Sequence, residues 1–169
     1  MSLENCSMNA DFNRSAGRAT SLGFVSGLRS QVPLALLAIA AGRGEGRRSG
    51  MSPMRLLRRP AVIAGLCLSA VGEAVVDKLP MAPSRLETAP LGGRLFFGAL
   101  AGSMLSRDRG APIVAGAALG AVGALAGSYA GHHARSYLGR STGLPDALWA
   151  GVEDATALGL GMLATRRIA

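Results

Sequence analysis

The sequence predicts an all-α, polytopic membrane protein, a bundle of about five transmembrane helices with glycine-rich packing. Three observations carry this expectation. Of 169 residues, 49% are hydrophobic and only 17% charged, against about 25% charged in an average soluble protein. Arginines fall in short clusters between long apolar segments, as they do in membrane-protein loops. The apolar bulk is Ala, Leu and Val with 24 Gly, beside four Phe, two Tyr and one Trp. That is a poor recipe for a soluble aromatic core.

A hydrocarbon core about 30 Å thick requires roughly 20 helical residues. Five segments approach that length. The first covers about 20–41 and contains Arg29; the second covers about 61–79 and carries Glu73, Asp77 and Lys78. A short third lies at about 91–106. The fourth, about 112–134, has no charge from Pro112 to Ala130, and the fifth, about 147–165, carries Glu153 and Asp154. Charged stripes at helical spacing, which a soluble bundle needs, are missing from the second and fourth segments.

The loops set the orientation. Arg43, Arg47, Arg48, Arg55, Arg58 and Arg59 follow the first segment, Arg107 and Arg109 the third, and Arg166 and Arg167 the fifth. Alternation through five spans puts all three sets on one side, the cytoplasmic side by the positive-inside rule. The N-terminus then lies outside and the C-terminus inside. Residues 1–18 read as a polar, disordered tail, with none of the features of a cleaved signal. Residues 19–169 read as one integral membrane domain. Within it, 42–59 reads as an Arg-rich solvated loop held near anionic lipid headgroups.

Gly116, Gly120, Gly123, Gly127 and Gly131 recur at spacings of three and four, which stacks them on one helical face. Without a hydrophobic drive between helices in lipid, close backbone approach must hold them together. Packing within the chain is the favoured reading, and a homo-oligomer through the fourth span is the other. Gly98/Gly102 and Gly151/Ala155/Gly159 repeat the small-xxx-small pattern.

Charges inside the spans are the most informative feature. The adjacent Glu153 and Asp154 would together cost roughly 5–7 kcal/mol at mid-span, while each Leu returns only about 0.3–0.6 kcal/mol. The fifth span therefore needs partners. At 1.5 Å per residue, Glu73 and Glu153 lie roughly 9 Å, and Arg29 roughly 13 Å, from the outer ends of their helices. Arg135 closes the fourth. Glu73 and Asp77, four apart, share a face, and Lys78 points elsewhere. These positions predict a buried cluster of Arg29, Glu73, Asp77, Arg135, Glu153 and Asp154, with Lys78 snorkelling at its edge. Mutual pairing would offset most of the insertion cost.

Other chemistries find little support. The net charge of +8 comes without the interleaved aromatics of a nucleic-acid face, so no nucleic-acid partner is expected. His132 and His133 lack the further ligands of a metal site, no G-x-S-x-G nucleophile motif is present, and no cofactor is implied. Neither a metal nor an enzymatic role is expected. Cys6 and Cys67 lie in unlike surroundings, so no bridge is expected between them.

Gly27-Leu28-Arg29-Ser30, the run Glu73-Ala-Val-Val-Asp77-Lys78-Leu79-Pro80, and Ser141-Thr142-Gly143 followed by Glu153-Asp154 together resemble domain of unknown function 4126. That is a family of small bacterial multi-pass membrane proteins. The resemblance covers roughly residues 20–165 and implies a bacterial inner-membrane protein, without implying a reaction. The expected role is permease-like or channel-like, the cluster binding or relaying a charged solute, ion or proton. The other reading is a non-transporting scaffold or accessory subunit whose cluster is a structural ion-pair network.

Overall fold

A computed structural model describes residues 3–44, 54–76, 87–143 and 145–166. Among them are seven helices and no strand: α1 (Leu3–Leu28), α2 (Val32–Gly42), α3 (Met54–Leu57), α4 (Pro60–Val76), α5 (Thr88–Asp108), α6 (Ile113–Thr142) and α7 (Asp146–Thr165). The all-α class is as expected. By length and composition, one helix among the described residues, Ile113–Thr142, suffices to cross a membrane; α2 and α4 are shorter apolar helices.

The first expected span is the main correction. It is not one crossing but two helices, α1 and α2, that fold back on each other at Arg29-Ser30-Gln31. A Cβ built on Gly161 of α7 would strike Leu36 and lie 3.7 Å from Val25. A continuous helix would hold Val25 and Leu36 about 16 Å apart along its axis. The cause lies in the sequence: Pro33 sits near the start of α2, and continuing α1 would drive its ring against the Arg29 carbonyl.

The turn reverses the chain, and so corrects the expected topology. Alongside α1, Ser26 meets Arg94 of α5 and Arg29 meets Asp154 of α7, while Leu22 clusters with Ala101 and Ala164. Thus α1 runs antiparallel to α5 and α7. It starts at the end where α7 finishes, not at the opposite one. Ala41, Met54, Leu57, Leu105 and Ala164 cluster at that end, gathering Arg43, Arg55, Arg58, Arg59, Arg107, Arg109 and Arg166 around it. Arg14 and Arg18 belong to the same half of α1.

Two further expectations change. The 1–18 tail is helical from Leu3, because Ser15, Ala19, Leu22 and Ser26 recur at helical spacing and are buried. Small side chains gave that stripe too little hydrophobic signal to be noticed. Within the 42–59 loop, α3 buries Met54 and Leu57; residues 45–53 lie outside the described residues. The third segment is longer than expected at 21 residues. The fourth extends past His133 to Thr142, where Gly143 ends it in the left-handed conformation, φ 64°.

Glycine sets the centre of the bundle. A Cβ on Gly116 or Gly120 would collide with Gly102 or Gly98 of α5, and one on Gly123 or Gly127 with the Thr20 or Phe24 backbone of α1. On the α1 side, Gly23 and Gly27 meet the α6 backbone in the same way. This places α6 in a backbone-to-backbone sandwich, parallel to α1 and antiparallel to α5. Gly131 is buried further along. A Cβ at Gly151 or Gly159 of α7 would meet nothing within 4 Å, so among the described residues this small-residue repeat packs against no other helix.

Large apolar side chains also face outward. Helix α4 has no buried residue, and Leu68 is 72% and Val114 82% exposed. Arg29, Arg94, Ser26 and Ser128 are buried beside the apolar core of Leu22, Val25 and Leu37.

Candidate functional site

A helix that stops leaves four carbonyls without partners, and one that starts leaves four amides. Both sets face the Arg29-Ser30-Gln31 turn, at the tip of the α1–α2 hairpin. Buried and unpaired, each group would cost roughly 1–3 kcal/mol. The chain answers with opposite charges at opposite helix ends, in the sense the helix dipole favours.

At the end of α1 stands Arg94, 4% exposed. Its Nη1 donates to the Gly27 carbonyl at 2.6 Å and reaches the Leu28 carbonyl at 3.5 Å. The Ser128 hydroxyl donates to the same Gly27 oxygen at 3.3 Å. The Ser26 hydroxyl donates to the Arg94 carbonyl at 2.9 Å, tying α5 to α1.

At the start of α2 stands the Glu73 carboxylate. Its Oε1 accepts from the Ser30 amide at 2.8 Å and the Ser30 hydroxyl at 2.6 Å, and its Oε2 from the Gln31 amide at 2.9 Å. A side chain from α4 thus caps the amides that lead into α2, whose N-cap residue Gln31 makes no side-chain cap bond of its own. Between the two caps, Arg29 is 1% exposed, and its Nε donates to Asp154 Oδ1 at 2.5 Å. The pair is buried on the Arg29 side and partly open on the Asp154 side.

The predicted site residues therefore divide into groups. Arg29 and Asp154 form an ion pair, and Glu73 bonds the backbone beside Arg29. Arg135 and Glu153 line a groove of about 200 Å³ between α1, α6 and α7, walled by Phe24, Leu28, Gly131, Trp149 and Val152. Asp77 and Lys78 lie outside the described residues. His132 and His133 sit at the α6 surface, where His133 stacks on Tyr129 at 6.3 Å between ring centroids. Trp149 contributes a further feature: its indole Nε1–H is buried and finds no acceptor among the described residues.

Sequence reasoning missed Arg94, Ser26, Ser30, Gln31 and Ser128. For Arg94 a signal existed. It is a lone charge inside LGGRLFFGAL, and the insertion cost that singled out Arg29 applies equally to it. The serines carry no such signal, since a hydroxyl inside an apolar helix is read as spacing until its partner is known.

No curated protein and no solved structure matches the chain. A family model does: that of a domain of unknown function (DUF4126), over residues 17–166. Its match takes in the hairpin from residue 17 onward, both caps, the Arg29–Asp154 pair and the groove, and on that extent the chain belongs to the DUF4126 family.

Proposed function

We propose that this chain is a polytopic protein of the bacterial inner membrane in which α4, α5, α6 and α7 cross the bilayer. The α1–α2 hairpin enters from the arginine-rich end and turns back. That end faces the cytoplasm by the positive-inside rule. The outward Leu68, Val71 and Val75 of α4 and Val114 and Val122 of α6 then contact acyl chains, which support this reading better than water would.

Within that setting the role is permease-like: the α1/α6/α7 groove binds or relays a small charged solute, ion or proton, without enzymatic chemistry. The observation that carries it is convergence. Arg135, Glu153 and Trp149 line one groove, beside a helix break of the kind that transporters place at their binding sites.

Proton flux into liposomes containing the purified protein, followed with a pH-sensitive dye under an imposed potential, tests this. Glu153→Gln and Arg135→Gln are expected to lower flux about tenfold or more, equivalent to roughly 1.4 kcal/mol, with insertion intact. Wild-type flux no faster than that of empty liposomes would refute proton relay. A second reading, a non-transporting scaffold, draws support from Glu73 and Arg94, whose hydrogen bonds go to helix ends. It predicts that Glu153→Gln and Arg135→Gln impair accumulation of the protein and leave flux per molecule unchanged.

A further inference from the structure

At the arginine-rich end, α2 and α7 finish side by side, each closed by an arginine. Arg43 is the C-cap of α2 and Arg166 that of α7. Both line a second groove of about 190 Å³, together with Leu36, Ile39, Met162 and Thr165. No acid lines it. The helix dipole explains an arginine at each end. It does not explain why two guanidinium-bearing residues share one groove with an apolar floor, where like charges repel unless an anion lies between them.

The geometry points to a binding site for one anionic phospholipid of the adjoining leaflet. Its phosphate sits between Arg43 and Arg166, and its first methylenes run along Leu36, Ile39 and Met162. Guanidinium groups suit phosphate oxygens because they donate two parallel hydrogen bonds. Basic pockets between membrane helices on the cytoplasmic side hold anionic headgroups for the same reason. The hydroxyl of Thr165 is not a ligand, since it donates to the Gly161 and Met162 carbonyls at 3.0 and 3.1 Å. The apolar floor selects a lipid over a free anion: an inorganic phosphate would gain the arginines but bury nothing. The site rests on the membrane reading above and is independent of the outer groove.

The test uses the full chain in neutral detergent, titrated with phosphatidylglycerol, phosphatidylcholine or inorganic phosphate while the thermal unfolding midpoint is followed. Phosphatidylglycerol is expected to raise the midpoint saturably, and the other two to leave it unchanged. In Arg43→Gln/Arg166→Gln the half-saturating lipid fraction is expected to rise about tenfold, whereas Arg140→Gln, at the opposite end, titrates as wild type. Equal titration of the double variant, an equal response to inorganic phosphate, or an equal loss in Arg140→Gln would each overturn the site. Alkaline carbonate extraction separates the two readings. A protein released from membranes refutes membrane residence and the lipid site together; one retained, with no arginine dependence, refutes the lipid site alone.

Discussion

Replacing Glu73 with Gln keeps the length of the side chain but turns one of its two acceptors into a donor. In the native structure both carboxylate oxygens receive backbone amides, from Ser30 and from Gln31. The amide side chain can satisfy only one of them, so its NH₂ is forced against the other N–H. One hydrogen bond to a charged acceptor is lost, about 1.5–3 kcal/mol, together with the interaction of the charge with the α2 dipole, about 0.3–1 kcal/mol. The sum is about 2–4 kcal/mol. For a chain of this length each kcal/mol lowers the unfolding midpoint by roughly 2–4 °C, so the drop should be on the order of 4–16 °C. Circular dichroism of the purified protein in detergent during heating measures it. Ser30→Ala is the milder companion, losing only the hydroxyl contact, about 1 kcal/mol. A Gln variant that melts within about 1–2 °C of wild type, at most about 1 kcal/mol on the same scale, would refute the cap. The α2 amides would then have other partners.

Two more outcomes follow from the packing and the topology. Gly123→Ala and Gly127→Ala place a methyl into the α1 backbone and should prevent the native α1–α6 contact, visible as loss of folded protein. Gly139→Ala and Gly151→Ala meet nothing within 4 Å and should be neutral or stabilising by up to about 1 kcal/mol of helix propensity; equal effects at all four sites would refute the glycine sandwich. Single cysteines at Phe12, Arg43 and Tyr137, in a background lacking Cys6 and Cys67, should label with membrane-impermeant reagent from one side for the first two and from the other for the third. Labelling of positions 12 and 43 from opposite sides would restore a single crossing and refute the hairpin.

Much of the site was legible because a charge in lipid is costly wherever it stands. That cost singled out Arg29, Glu73, Arg135, Glu153 and Asp154 without any knowledge of their partners. Their pairing was not legible. Glu73 was expected within an ion-pair cluster and instead accepts two main-chain amides; Asp154 pairs with Arg29. Main-chain partners carry no residue code, so a carboxylate that caps a helix looks in sequence like one that pairs with arginine. The hairpin had its signal in Pro33, four residues past Arg29. An apolar run that long reads as one span unless the proline is weighed against it.

What the sequence determined by itself is the class of the molecule: helices, glycine-mediated approach, and charges that require burial together. These follow from composition and from the helical period, both local properties of the chain. The tertiary structure decided where the chain turns back and which small stripe meets another helix. It decided too which arginine closes α1. Each of these depends on side chains far apart in sequence: Arg94 reaches Gly27, Glu73 reaches Gln31, and Gly123 admits Thr20. Such encounters are fixed by how close two backbones can come, a distance that no single helix contains.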